Sequence, residues 1–263
     1  MTIRLVCLDI DGTLTDGVAG PALPGASEAL RRLRRAWPVR LVTNATSRSH
    51  RSLVAALIRE GFQVEPLEVV TPAATARRVL PARGHARGIL LVEPEARIDY
   101  SWFEEIDAGP AVLVATEAHG FQIAELQPAF RALLAGAALY TLQKNRTFRK
   151  AGQLVTDLGP LAAFFEYAAQ CQAENLGKPS PLLFDALAAE LGIERGQMLM
   201  VGDDAEFDAA GAERLGIHGV VVRTGKYREG DETRVSPPPS AVIGSVSELP
   251  EWLEALSATE PRG

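Results

Sequence analysis

Cysteine is scarce in these 263 residues: only Cys7 and Cys171 occur, with no CxxC spacing. This excludes a disulfide framework and a cysteine-bound zinc as organising devices. Cys7, inside an apolar run, reads as a small buried hydrophobe. Long apolar runs are missing too. No stretch approaches the ~18 residues of a membrane span, and Asp9 and Asp11 interrupt what would be the apolar core of a signal peptide. A soluble, cytoplasmic protein with no membrane partner is expected. Positive charge is in deficit, with 27 Lys and Arg against 33 Asp and Glu and a formal net charge of −6. A general nucleic-acid binder would present a net basic face, so no nucleic-acid partner is expected. Internal repeats and low-complexity tracts are also lacking. What remains is 47% hydrophobic and 23% charged, enough to bury a core in one large domain or two modest ones.

Short apolar runs alternate with amphipathic stretches. "IRLVCLDI" reads as a buried strand, and "GASEALRRLRRAW" places Ala26, Ala29, Leu30 and Leu33 at helical spacing. "VRLVTN" is a second strand. "SRSHRSLVAALIREG" is a helix with Ser47 as N-cap and Gly61 as C-cap. "MLMVGDD", "AEFDAAGAERLG" and "GVVVRTG" read as strand, helix and strand. Such alternation predicts a parallel sheet covered by helices on both faces. The middle of the chain has its own set: strands in "GILLVEP", "AVLVATE" and "ALYTLQKNRTF", helices in "FQIAELQPAFRALLAG" and "LGPLAAFFEYAAQ". The expected architecture is therefore α/β: a doubly wound, Rossmann-like core of residues 1–79 and 174–263, with a smaller α/β unit inserted at 80–173. "SPPPS" at 236–240 precedes a last strand and helix, and the tail from residue 257 is expected to fray.

The stretch "VCLDIDGTLTDG", residues 6–17, carries the chemistry. Ligands of parallel sheets bind at the carboxyl ends of strands, and residues two apart in extended chain face the same side. Asp9 and Asp11 then aim two carboxylates at one spot. They repel unless a cation lies between them or one is protonated, and a hard divalent ion such as Mg²⁺ suits oxygen donors. One carboxylate can serve as nucleophile and the other as acid and base. Thr43 and Asn44 end the second predicted strand, so the hydroxyl and N–H groups there are expected to face the same crevice. "GKP" sets Lys178 before a helix that Ser180 is expected to cap, and "VGDDAEFD" brings Asp203, Asp204 and Asp208 to another strand end. Carboxylates for a metal, with hydroxyls and a lysine for phosphate oxygens, form the inventory of phosphoryl transfer.

These four stretches, in this order, resemble the motifs of the haloacid dehalogenase superfamily of phosphohydrolases. The chain is most similar to its subfamily IIA, the NagD-like group with a cap between the second and third motifs, and within it to the phospholysine, phosphohistidine and inorganic pyrophosphate phosphatases. "ALYTLQKNRTFRKAGQLVTDLGPLAAFFEYA", "GKPSPLLFDAL" and "VVVRTGKYREGDE" carry the closer likeness. The resemblance implies that Asp9 attacks phosphorus and that Asp11 protonates the leaving oxygen and then activates water. It implies Mg²⁺ held by Asp9, the Asp11 carbonyl and Asp203, with Thr43, Asn44 and Lys178 on the phosphoryl group and Asp204 and Asp208 in support. It also implies a small phosphorylated substrate under a cap, and a homodimer formed through the cap.

Plainer readings compete at several positions. A lone DxD can be an Asx turn, a lone GKP is common, and "GDDAEFD" can be an acidic helix start. The four histidines (50, 85, 119 and 218) read as structural or surface residues, with His50 the one near Asn44. "QKNRTFRK" is either a solvated hairpin or a lid over an anion, with Lys144 and Arg146 as lid candidates. "RTGKYREGD" reads as a structural rim loop. Two other functions share parts of the pattern: a phosphate-holding sensor, which would not need Asp11, and a phosphomutase, for whose cap Ile10–Val42 leaves no room.

Overall fold

A computed structural model describes residues 2–18, 20–116, 122–150 and 153–258. Residues 259–263 of the tail expected to fray, and His119, lie outside the described residues. The chain divides into two compact units, one of residues 1–43, 53–70 and 184–263, the other of 44–52 and 71–183. The second encloses the expected insert at 80–173.

In chain order the strands are β1 (Leu5–Leu8), β2 (Val39–Val42), β3 (Val69–Val70), β4 (Arg87–Val92), β5 (Glu104–Glu105), β6 (Ala111–Ala115), β7 (Ala138–Thr141), β8 (Thr147–Lys150), β9 (Gln153–Thr156), β10 (Glu174–Asn175), β11 (Met198–Gly202), β12 (His218–Val222) and β13 (Ala241–Ile243). The first unit holds a six-stranded sheet in the order β13-β12-β11-β1-β2-β3, parallel throughout. Counted along this unit alone, that is the doubly wound order 3-2-1-4-5-6. The chain winds outward from β1 to β3, returns beside β1 as β11, and winds outward the other way. The reversal makes the gap between β1 and β11 a topological switch point. Both strands are buried on both faces, as parallel strands under two helical layers must be.

The helix Ala26–Leu33 buries the four residues its spacing predicted. The helix His50–Arg59 starts two residues later than expected: Ser49, not Ser47, accepts the Ser52 N–H at 3.3 Å. Its end is as read. Gly61 has φ +87°, and the N–H groups of Gly61 and Phe62 return to the carbonyls of Ile58 and Leu57, the Schellman pattern. The single helix expected at 205–216 is instead a wide π turn, Ala205–Ala210, followed by the short turn Gly211–Glu213. The Ala209 N–H reaches five residues back to the Asp204 carbonyl at 3.3 Å.

The second unit has a five-stranded parallel sheet in the order β10-β7-β6-β4-β5. Val112, Val114, Leu139, Leu158 and Phe165 belong to its own core. β8 and β9 form a separate antiparallel hairpin. The helix expected over 121–136 is a 3₁₀ turn, Ile123–Leu126, and then Gln127–Leu134. Pro128 explains the break, because a proline fits the first turn of a helix and not its interior. The helix Pro72–Ala82, started by Thr71 and Pro72, had no counterpart in the periodicity reading. No helix among the described residues is long and apolar enough to cross a membrane.

Candidate active site

Asp9 follows β1 and Asp203 follows β11, so the switch point sets them side by side. The register Leu8↔Val201 continues one step, with the Asp9 N–H on the Val201 carbonyl at 2.8 Å. Asp208 joins them from the π turn. One carboxylate oxygen from each of Asp9, Asp203 and Asp208 lies within 4.8 Å of the other two, and all three residues are buried. Burial pushes the Asp203 carboxyl well above the ordinary aspartate range; Lys226 opposes that shift, while Asp9 and Asp208 add to it. Three such groups converge stably around a cation, and an all-oxygen donor set of this charge fits a hard divalent ion. Asp208, read from the sequence as a supporting residue, is a full member of the cluster. Gly202 is what admits it: a Cβ there would lie 2.0 Å from Asp208 Oδ2.

The loop after β1 winds around one carbonyl. The N–H groups of Thr13, Leu14 and Thr15 all point to Ile10 O, and Gly12 N–H donates to Thr15 O at 2.7 Å. Thr13 Oγ1 donates to Asp9 Oδ2 at 3.4 Å, and Thr43 Oγ1 donates to Asp11 Oδ2 at 3.4 Å. The expectation that the Thr43 N–H faces the crevice is corrected: it donates to the Val70 carbonyl at 3.1 Å as part of the β2–β3 pairing. Its hydroxyl is the group turned to Asp11.

Asn44 and Lys178 belong to the second unit and are tied together there. Asn44 Oδ1 accepts the Lys178 backbone N–H at 2.8 Å, and Asn44 Nδ2 donates to the Lys178 carbonyl at 2.9 Å. Gly177 must be glycine, since its Cβ would meet Leu142 O at 2.2 Å and Asn44 Oδ1 at 2.6 Å. Lys178 is buried. Ser180 does not cap the helix Pro181–Leu191; its hydroxyl is fully buried and makes no hydrogen bond.

Lys226, inside the loop read as a structural rim, went unnoticed in the sequence. Its backbone N–H donates to Asp203 Oδ2 at 2.7 Å and its ammonium pairs with Asp204 Oδ2 at 2.8 Å. Asp204 Oδ1 accepts the N–H groups of Glu206 and Phe207 at 2.9 Å each. Burial alone would raise the Asp204 carboxyl, but Lys226 and these donors outweigh it and hold it below its usual range. Thr224 Oγ1 donates to the Gly12 carbonyl at 2.5 Å.

Of the lid candidates, Lys144 pairs with Glu166 at 2.7 Å, and Arg146 is exposed. His85 Nδ1 meets the Tyr140 hydroxyl at 2.8 Å, a structural role. The His50 backbone N–H donates to Asp99.

Residues 6–100 match the haloacid dehalogenase-like hydrolase family, and residues 175–249 match a HAD-hydrolase-like family. The phospholysine phosphohistidine inorganic pyrophosphate phosphatase of Bos taurus is 38% identical over 261 residues, covering 97% of this chain and 94% of that one. The solved 4-nitrophenylphosphatase of Thermotoga maritima is 26% identical, with a TM-score of 0.83 over 95% of this chain and 97% of that one. NagD from E. coli shares the fold at 23% identity, with a TM-score of 0.82 over 94% of this chain and 98% of that one. On a likeness that runs nearly the full length of both proteins, this chain belongs to the haloacid dehalogenase-like hydrolases, among their phosphatases.

Proposed function

We propose that this protein is a Mg²⁺-dependent phosphatase that hydrolyses a small phosphorylated molecule through an aspartyl-phosphate intermediate. The observation that carries the reading is the buried convergence of Asp9, Asp203 and Asp208 at the switch point of the first sheet. Asp9 attacks phosphorus, and the bond to the leaving oxygen breaks as that oxygen takes a proton from Asp11. Water then attacks the aspartyl phosphate, Asp11 takes its proton, and the bond to Asp9 breaks to release inorganic phosphate. Thr43, Asn44 and Lys178 bind the transferring group. Because the Asn44 carboxamide grips the Lys178 backbone, its part is to place Lys178, with its main chain left for the phosphoryl oxygens.

Asp9, Asp203 and the Asp11 carbonyl would hold Mg²⁺, with Asp208 beside them; when bound, the ion neutralises phosphoryl charge. Lys144, whose ammonium faces Glu166, and Arg146 both stay lid candidates. The working enzyme is cytoplasmic, dimeric through the inserted unit, and has no nucleic-acid or membrane partner. Phosphomonoesters, pyrophosphate and phosphoramidates are the substrate classes to compare, the last two because of the name of the bovine relative.

The test is phosphate release from 4-nitrophenyl phosphate and a metabolite panel, with Mg²⁺ and with EDTA. Magnesium-dependent release that vanishes in a folded Asp9→Asn variant supports the reading. Release at the wild-type rate from that variant rules out the mechanism.

A further inference from the structure

A chain of buried amides runs through the second unit to Lys178. At one end, Asp157 starts the helix Leu158–Ala169, its Oδ1 accepting the Leu158 N–H at 2.8 Å. The same oxygen accepts Gln143 Nε2. Gln143 Oε1 accepts the Asn145 backbone N–H. Asn145 Oδ1 accepts Asn44 Nδ2 at 3.3 Å, and the Asn44 carboxamide clasps both main-chain groups of Lys178. Gln143, Asn145, Asp157 and Lys178 are all buried, Gln143 to 1% exposure.

Each amide in this chain has one possible orientation. A carboxylate only accepts, so Gln143 must turn its nitrogen to Asp157 and its oxygen to Asn145. The Lys178 N–H only donates, so Asn44 must turn its oxygen there. That leaves Asn44 Nδ2 one hydrogen for the Lys178 carbonyl and one for Asn145. In a low-dielectric interior such linked bonds reinforce one another, and flipping any one amide breaks its neighbours' bonds. It also closes the root of the β8–β9 hairpin, where Asp157 N–H meets Arg146 O at 3.1 Å and Gly159 N–H meets Asn145 O at 3.0 Å. A Cβ on Gly159 would fall 2.5 Å from Asn145 O.

We propose that Gln143 and Asn145 are positioning residues for Lys178: through Asn44 they hold its backbone where its ammonium meets the transferring phosphoryl group. The proposal rests on the reading of Lys178 as a phosphoryl ligand. Phosphoryl transfer depends on placement, and a displacement of about 1 Å costs about a hundredfold.

The test compares Asn145→Ala, Asn145→Asp, Lys178→Met and the double variant Asn145→Ala/Lys178→Met in the full chain. Inhibition by inorganic phosphate, kcat and KM for 4-nitrophenyl phosphate, Mg²⁺ affinity by calorimetry and Tm are read for each. Asn145→Ala should weaken phosphate inhibition about tenfold or more, with Mg²⁺ affinity unchanged. Asn145→Asp keeps an acceptor for Asn44 and should recover most of the loss. In the Lys178→Met background, Asn145→Ala should cost nothing further, because the two act as one unit. Additive losses, or a wild-type Asn145→Ala, overturn the proposal while leaving Lys178 in its role. Unaltered phosphate inhibition in Lys178→Met overturns the role of Lys178 itself. If Asn145→Ala does not fold, Asn145→Asp decides alone: it must keep phosphate inhibition within about threefold of wild type, and a larger loss overturns the proposal.

Discussion

The backbone N–H of Lys226 donates to Asp203 at 2.7 Å, while its ammonium pairs with the neighbouring Asp204 at 2.8 Å. One residue thus engages two consecutive carboxylates with different groups, and a side-chain substitution removes only the second contact. Lys226→Met should leave Asp203 placed but strip Asp204 of its counter-charge. The Asp204 carboxyl is held below 3.8 in the folded chain, burial being outweighed by Lys226 and the turn's N–H donors. A depressed carboxyl contributes stability above its unfolded pKa and loses it as pH falls through the folded value. Urea denaturation should therefore find the variant weaker than wild type at about pH 7 and the two converging as pH falls below about 4. A gap that persists in acid would show that the pair is not its source.

Gly12 and Gly225 approach the same atom. Each has a positive φ, +83° and +60°, and a Cβ on either would lie 2.1 Å from Asp203 Oδ2. Gly17 has a similar φ of +81° but open space around it. All three alanine variants carry the left-handed strain of ~1–2 kcal/mol. Only Gly12→Ala and Gly225→Ala must also displace Asp203. They should lose Mg²⁺ binding by calorimetry, whereas Gly17→Ala should show the stability loss alone.

The raised carboxyl of Asp203 has the opposite pH signature. Burial is its main cause, with Asp9 and Asp208 adding to it. A folded-state pKa above the unfolded value of 3.8 gives stability present in acid and lost as pH rises through the folded value. A divalent ion favours the ionised trio and should reverse that loss. The rise in Tm on adding MgCl₂ to EDTA-treated protein should grow as pH rises above the ordinary aspartate range. A shift independent of pH would place the ion elsewhere.

Thr43 divides its duties between main chain and side chain, its N–H on Val70 and its hydroxyl on Asp11. Thr43→Val keeps the first and deletes the second. Stability should change by about 1 kcal/mol or less, while kcat/KM should fall about tenfold to a hundredfold, the range for a hydrogen bond to a charged group. Urea denaturation and steady-state kinetics on one preparation separate the two. Equal kinetics would exclude the hydroxyl from the site.

Much of this protein is written in local sequence. The spacing of Ala26, Ala29, Leu30 and Leu33 named the buried face of a helix, Gly61 marked a helix end, and the four motif stretches named the chemistry, because periodicity, left-handed φ and residue type are properties of short segments. The tertiary structure decided the rest. The two-residue strands β3, β5 and β10 exist only because longer strands pair with them. The π turn that brings Asp208 to Asp9 and Asp203, the Val70 carbonyl that takes the Thr43 N–H, and the bonds of Asn44 and Lys226 all join segments far apart in the chain. Sequence states which donors and carboxylates exist. Strand order and burial decide which of them meet, since a carboxylate becomes part of a cation site only when the fold removes water and sets others within a few ångströms of it.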